Sequence, residues 1–110
     1  MKIVYICSPY RGDTNKHTIY ARRLMERVLR EGDAPICPHL YLPQVLDDSN
    51  LAEREQALRV GLELLKACDR VAVGNDYGIS EGMAAEIELA RELGINICYY
   101  TQLSPCEFTI

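Results

Sequence analysis

The chain has 110 residues, of which 48% are hydrophobic, and a formal net charge of −4. This length predicts one compact domain over residues 1–110, and the negative charge, without a basic run to offset it, argues against a nucleic acid polymer as a partner. Uncharged apolar stretches are only as long as strands and no signal-peptide cleavage region follows the start, so we expect no membrane span and a cytoplasmic location.

The chain contains five cysteines, an odd number, and no two of them have the CxxC spacing. Most lie in or beside predicted strands, which favours buried free thiols over disulfides. The two histidines, His17 and His39, have no cysteine at metal-ligand spacing, so we predict no metal site. Nucleophilic chemistry at Cys7, close to a strand end, is the less favoured alternative.

Strand-like and helix-like patterns alternate along the chain. Apolar, β-rich runs predict strands over residues 2–7, 34–37, 69–73 and 96–100. Apolar residues at helical spacing predict helices over residues 16–30 and 51–67. The predicted inner faces of these helices comprise Ile19, Leu24, Met25, Val28 and Leu29 in the first and Leu58, Leu62 and Leu65 in the second. Residues 39–50 form a connecting loop that is too apolar to be a mere linker.

A third helix, over residues 80–94, carries the most informative residue. Ser80 suits the N-cap, Gly94 suits the far end, and an apolar stripe joins Met83, Ile87, Ala90 and Leu93. Glu86 lies beside this stripe with no basic residue three or four positions away, whereas Glu88 has Arg91. Since an unpaired carboxylate is costly in apolar surroundings, we expect Glu86 to face a cavity or a ligand. The alternative is that Glu86 lies at the boundary of the helix and reaches water.

The alternation of strands and helices predicts the α/β class with a parallel sheet. The simplest strand order is 2-1-3-4, in a small doubly wound, Rossmann-like or flavodoxin-like three-layer sandwich. Ligands of such folds bind beyond the carboxyl ends of the strands, at the switch point between strands one and three. Here those ends carry the loops SPYRGD, PHLY and GNDYGISEG. We therefore expect these loops and Glu86 to line one cleft.

Two of the loops suit an anion. Ser8, Arg11 and Gly12 offer a hydroxyl, a guanidinium and a backbone that a ligand can approach closely. Ser80 and Gly82 open a helix whose unpaired N–H groups favour phosphate. Together these residues predict a phosphorylated small molecule.

Other loop residues are candidates for the rest of such a ligand. Asp76 lies where it could meet a sugar, and the loop tyrosines Tyr10, Tyr41 and Tyr77 could flank a base. Asp69 begins the third strand, far from the cleft, and its position favours a turn residue.

The motifs SPYRGD and PHLY and the spacing Ser80-x-Gly82-x-x-x-Glu86, ending in ELA, resemble the nucleoside 2-deoxyribosyltransferase superfamily. The sequence is most similar to its 2′-deoxynucleoside 5′-phosphate N-hydrolase branch and to small bacterial and phage proteins with a YISGPYRG-type opening. The resemblance extends from the first strand to the fourth.

The resemblance implies that Glu86 is a nucleophile that attacks the anomeric carbon and releases the base, with water or a second base resolving the glycosyl-enzyme. It places the phosphate contacts at Ser8, Arg11, Gly12, Ser80 and Gly82. It also implies that His39 lines the cleft and that Asp69 is a catalytic acidic residue, against the turn position favoured above. No cofactor is implied.

Two departures from the family bear on the substrate. True transferases have an aspartate six residues before the nucleophile, and Ser80 in its place favours a nucleotide over an unphosphorylated nucleoside. The AAEIELA run replaces the usual GYELG-type run, so the pocket under the sugar is expected to differ. We therefore expect an N-glycosidase or deoxyribosyltransferase that acts on the 5′-monophosphate of a nucleoside or of a deoxynucleoside. The alternative is a non-catalytic module that binds a nucleotide or an ADP-ribose-type ligand.

The resemblance also implies a homodimer, because the family borrows an active-site residue from a neighbouring subunit's C-terminal segment. Thr101, Gln102 and Ser104 are possible donors of that residue. The helix over residues 51–67 is a possible interface.

Overall fold

The computed structural model describes residues 1–103, and within them strands and helices alternate as the sequence predicts. The elements in chain order are β1 (Ile3–Cys7), α1 (Thr14–Arg30), β2 (Ala34–Ile36), α2 (Leu51–Lys66), β3 (Arg70–Gly74), α3 (Glu81–Glu92) and β4 (Asn96–Tyr100). Two short 3-10 turns, Pro38–Leu40 and Leu42–Gln44, lie between β2 and α2. These turns occupy the connection that the sequence predicts as an apolar loop.

The four strands form one parallel sheet in the order β2-β1-β3-β4, which confirms the predicted topology. Tyr5 in the middle of β1 pairs with Ile36 on one side and with Val71 on the other. The carboxyl ends of β1 and β3 therefore lie side by side, and the loops that follow them share one edge of the sheet.

The sheet is covered on both faces, so the fold is the predicted three-layer sandwich. On one face α1 contributes Tyr20, Ala21, Leu24 and Val28 to a core that also holds Val4 and Ile6 of β1. On the opposite face α2 and α3 contribute Leu65, Met83, Ile87 and Ala90 to a core that holds Tyr5 and Cys7. Because alternate β1 residues point to opposite faces, Tyr5 and Cys7 both point toward the α2 and α3 side. Burial of each large apolar side chain contributes about 1.5–3 kcal/mol.

The inner faces of the first two helices differ from the sequence prediction. Ile19 and Leu29 are about half exposed, whereas Tyr20 and Ala21 are fully buried. The stripe of α1 that meets the sheet is thus rotated toward Tyr20, which the prediction left out. In α2, Leu58 is exposed and Leu65 is buried.

The amino-terminal edge of the sheet is fastened by two aspartates. Asp69 accepts a hydrogen bond from the backbone N–H of Ile3 at 2.7 Å, and Asp33 accepts one from Lys2 at 3.0 Å. Asp69 therefore closes the turn that leads into β3, at the opposite end of the strand from the loops described above.

No helix within residues 1–103 is both long enough and apolar enough to cross a membrane.

Candidate active site

Glu86 lies on α3 and faces the carboxyl end of β1. The helix begins as predicted, with the Ser80 side chain accepting a hydrogen bond from the backbone N–H of Met83 at 3.2 Å. Glu86 then follows less than two turns later, on the side of α3 that meets the sheet. The Tyr5 hydroxyl donates a hydrogen bond to Glu86 Oε2. Glu86 is thus held against the core.

Tyr5 is the residue of this site that the sequence reasoning did not identify. Tyr5 is 2% exposed, and its hydroxyl contacts Glu86. A Cβ atom on Gly61 of α2 would lie 3.3 Å from this hydroxyl oxygen, so the glycine lets α2 pack closely over the contact. The period of two along β1, which puts Tyr5 and Cys7 on one face, is the signal that could have identified Tyr5.

Burial and hydrogen bonding act on the pKa of Glu86 in opposite directions. Burial raises the pKa of Glu86 above its ordinary value, and hydrogen bonds from Tyr5 and Cys7 offset part of this rise. Burial, and then the nearby Glu86 charge, raise the pKa values of Tyr5 and Cys7, so both groups keep their protons and remain donors. Within residues 1–103, no ion pair includes Glu86. A partly buried carboxylate without a cation costs stability, as the sequence pattern predicts.

A second cluster forms around His39, in the 3-10 turn that follows β2. The imidazole Nε2 lies 3.3 Å from Ser8 Oγ and 3.3 Å from Cys37 Sγ. His39 and Ser8, both predicted site residues, therefore meet here. The Tyr10 ring lies against the imidazole with 5.6 Å between the ring centroids. Burial and the nearby His17 lower the pKa of His39 to about 4, so the imidazole is neutral at neutral pH. In this state His39 can accept or donate hydrogen bonds without adding charge.

Gly12 and Gly82 lie in the two loops that the sequence predicts to bind phosphate. Gly12 has φ +90°, a left-handed conformation that glycine adopts without strain. A Cβ atom on Gly82 would meet nothing within 4 Å, so space is open in front of the first turn of α3. Arg11 points across to the loop between β2 and α2, where its Nη2 lies 3.3 Å from each carboxylate oxygen of Asp48.

Asp76 has a structural partner that the sequence did not reveal. Its two carboxylate oxygens accept hydrogen bonds from the backbone N–H groups of Gln102 and Leu103, at 2.7 and 2.6 Å. The backbone N–H of Asp76 in turn donates to the Tyr20 hydroxyl at 2.9 Å. Asp76 therefore ties the loop after β3 to the chain that follows β4. This role takes up the oxygens that were expected to meet a sugar, and we leave Asp76 out of the candidate site.

Asp69 also lies apart from Glu86. Its carboxylate binds the backbone of Ile3 at the amino-terminal edge of the sheet, while Glu86 lies near the carboxyl-terminal edge. The geometry agrees with the turn position and does not bring Asp69 to Glu86. We therefore do not assign it a catalytic role.

One of the loop tyrosines, Tyr77, lies on the α1 side of the sheet. Tyr77 packs on Tyr20, with ring centroids 4.7 Å apart, and the Lys16 Nζ atom lies 4.1 Å above the Tyr77 ring. A surface cavity of about 160 Å³ adjoins these rings on the α1 side, and Glu86 is not among its lining residues. This cavity therefore does not include Glu86. Within residues 1–103, no three histidine, cysteine, aspartate or glutamate side chains lie close enough together to hold a metal ion.

The fold is similar to that of solved 2-deoxyribosyltransferases. The enzyme from Bacillus psychrosaccharolyticus superposes with a TM-score of 0.68 at 20% sequence identity, covering 90% of this chain and 72% of the enzyme. The 2-deoxyribosyltransferase from Leishmania mexicana superposes with a TM-score of 0.61 at 17% identity, covering 92% of this chain and 65% of the enzyme. At these identities the likeness shows a shared fold.

Comparison of sequences gives a more specific result. No curated protein matches the chain. Residues 2–100 match the family described as "Domain of unknown function (DUF7768)", so the match covers nearly the whole chain. The chain therefore belongs to the DUF7768 family and has the α/β fold of the 2-deoxyribosyltransferases.

Proposed function

We propose that the protein is an N-glycosidase or deoxyribosyltransferase that acts on a nucleoside or deoxynucleoside 5′-monophosphate through Glu86. The observation that carries this proposal is a partly buried carboxylate beside β1, without an ion-pair partner in residues 1–103 and hydrogen-bonded to the Tyr5 hydroxyl. Such a group costs folding stability, which makes it a candidate for a functional residue. The fold shared with 2-deoxyribosyltransferases supports the same class of reaction.

The arrangement suits a two-step displacement at the anomeric carbon. Because Tyr5 holds Oε2 of Glu86, we expect Oε1 to attack. The carbon–oxygen bond to Oε1 forms as the bond from the anomeric carbon to the base breaks, and the base leaves with that electron pair and takes up a proton. Water, or a second base, then attacks the same carbon and releases the Glu86 carboxylate, as in retaining glycosidases. The Tyr5 hydroxyl stabilises the carboxylate before and after the reaction.

The phosphate is proposed to lie at the start of α3. Glu86 lies six positions after Ser80, or about 9 Å along the helix axis at the usual rise. The open space at Gly82 leaves room for a ligand at the N–H groups of the first turn, which attract an anion. Ser8, beside His39, and Arg11, after β1, are the further contacts that we propose for this ligand.

A non-catalytic nucleotide-binding module is the second candidate. It is favoured by the placement of Asp69 and Asp76, whose carboxylates bind backbone groups and do not join Glu86. With these two carboxylates bound elsewhere, the leaving base would take its proton from a histidine or from water. A binding module would need no such proton.

Chromatography of free base after incubation with a panel of ribo- and deoxynucleoside 5′-monophosphates tests the proposal. We expect the wild type to release base and Glu86→Gln to release none. Glu88→Gln is the matched control, because Glu88 lies two residues away but is exposed and pairs with Arg91. Nucleotide binding without base release by the wild type would favour the binding module. Base release by Glu86→Gln at the wild-type rate would refute the role of Glu86.

A homodimer stays a prediction. The leucines Leu51 and Leu58 on α2 are 71% and 58% exposed, which supports α2 as the surface that a second copy would cover. Thr101 and Gln102 follow β4, and Ser104 lies outside the described residues. Sedimentation of the wild type and of Leu58→Glu would test this interface, and a monomeric wild type would refute it.

A further inference from the structure

The ion pair between Arg11 and Asp48 joins two loops at the carboxyl-terminal edge of the sheet. Arg11 follows β1, and Asp48 lies between the second 3-10 turn and α2. Arg11 Nη2 is 3.3 Å from both Oδ1 and Oδ2 of Asp48, and the two side chains are about half exposed. The residue proposed to bind phosphate is thus already bound to an anion that the chain itself supplies.

The turn around Asp48 holds this carboxylate in place. On one side, Asp47 Oδ1 accepts hydrogen bonds from the backbone N–H and the hydroxyl of Ser49, at 2.9 and 2.6 Å. On the other, Asn50 caps α2 by accepting from the backbone N–H of Glu53 at 3.2 Å. The side chains of Asp47 and Asn50 therefore stabilise the turn and the start of α2. The Asp48 side chain is directed instead across the gap to Arg11.

A carboxylate and a phosphate use the same donors of an arginine. The guanidinium group binds either anion through its planar N–H groups, so the two compete for one site. A nucleoside 5′-monophosphate also carries a charge that Asp48 repels when both approach Arg11. We infer that Asp48 determines how strongly the site prefers phosphorylated ligands, by competing with the phosphate for Arg11. This inference rests on the proposed function, because it takes Arg11 as a phosphate contact.

The exposure of the pair sets the size of the effect. Ion pairs between exposed side chains are weak, since water and salt screen both charges. A phosphate can therefore displace Asp48, at a cost equivalent to about a two- to fivefold loss of affinity. An unphosphorylated nucleoside does not compete for Arg11 and is bound equally well with or without Asp48.

Calorimetric titration of Asp48→Asn tests the inference. The probes are the four 2′-deoxynucleoside 5′-monophosphates and the four matching deoxynucleosides, with Glu86→Gln in every variant so that no turnover occurs. We expect Asp48→Asn to bind the monophosphates about two- to fivefold more tightly, with no change for the nucleosides. The gain should shrink as salt is added. Glu88→Gln, which removes the same charge from an exposed pair on α3, should leave both affinities unchanged.

An Arg11→Ala background separates competition from a general charge effect. There Asp48→Asn should change monophosphate binding by much less, because no arginine remains to be freed. Equal or weaker monophosphate binding by Asp48→Asn, with Arg11 intact, would overturn the inference and leave the proposed function standing. A gain that persists in Arg11→Ala would overturn it too. Failure of every variant to bind any monophosphate would overturn the proposed function as well.

Discussion

Replacing Tyr5 with phenylalanine tests the contact that orients Glu86. The Tyr5 ring is 2% exposed and stays in place as phenylalanine, so the change removes only the hydroxyl that donates to Glu86 Oε2. A hydrogen bond to a charged group contributes about 1.5–3 kcal/mol. For a domain of this size that loss lowers Tm by roughly 6–15 °C at neutral pH.

The cost of Tyr5→Phe depends on pH in a defined direction. Because the folded-state pKa of Glu86 is raised above its ordinary value of 4.5, the proton on Glu86 stabilises the fold below that value. This stabilisation is lost as pH rises through the folded-state pKa. Tyr5→Phe removes a hydrogen bond that lowers the pKa, so it raises the pKa of Glu86 further. The cost of the variant is therefore smallest in acid and grows toward neutral pH, and the acid limb of kcat/KM moves to higher pH.

Tyr20→Phe is the matched control for this experiment. Tyr20 is equally buried, and its hydroxyl accepts a hydrogen bond from the backbone N–H of Asp76 and also lies close to the Asp76 carboxylate. Its loss is expected to cost about 1 kcal/mol and to leave the pH dependence of kcat/KM unchanged. Urea unfolding of both variants between pH 4 and 8 measures the difference. Equal costs for the two variants at every pH would refute the assignment of a charged partner to Tyr5.

Three further predictions concern the surroundings of the site. Gly74→Ala should destabilise the fold by about 1–3 kcal/mol in urea unfolding, because its Cβ would lie 2.8 Å from the buried Tyr20 ring; an unchanged midpoint would contradict this packing. Asp76→Ala should cost about 2 kcal/mol and speed amide exchange at Leu103, whose N–H it binds at 2.6 Å; unaltered exchange would contradict the tie. An NMR titration of the His39 imidazole should give a pKa of about 4. A midpoint near pH 6.5 would contradict the burial of this side chain.

The strands and their order could be predicted because a parallel sheet with helices on both faces has a recognisable sequence pattern. Its strands are apolar on both faces, and the connections between them are helical. The start of α3 could also be predicted, and Ser80 makes the hydrogen bond expected of an N-cap. Local chemistry determines these features.

The helix faces and the polar partners could not be predicted in the same way. The inner stripe of α1 depends on how the helix is rotated against the sheet, and the sequence offers Ile19 and Leu29 as readily as Tyr20. Asp76 binds backbone N–H groups 26 and 27 residues away, and Arg11 pairs with Asp48. Both contacts join residues that are distant in the sequence. Residue type alone suggested a ligand for each side chain, but the fold supplied another partner.

Mass spectrometry of the acid-quenched reaction tests the central claim most directly. A deoxynucleoside 5′-monophosphate that the protein turns over should leave a deoxyribose-phosphate adduct, and peptide mapping should place that adduct on Glu86. The adduct should be absent from Glu86→Gln and present in Glu88→Gln. A modification on any other residue, or full base release by Glu86→Gln, would contradict the account.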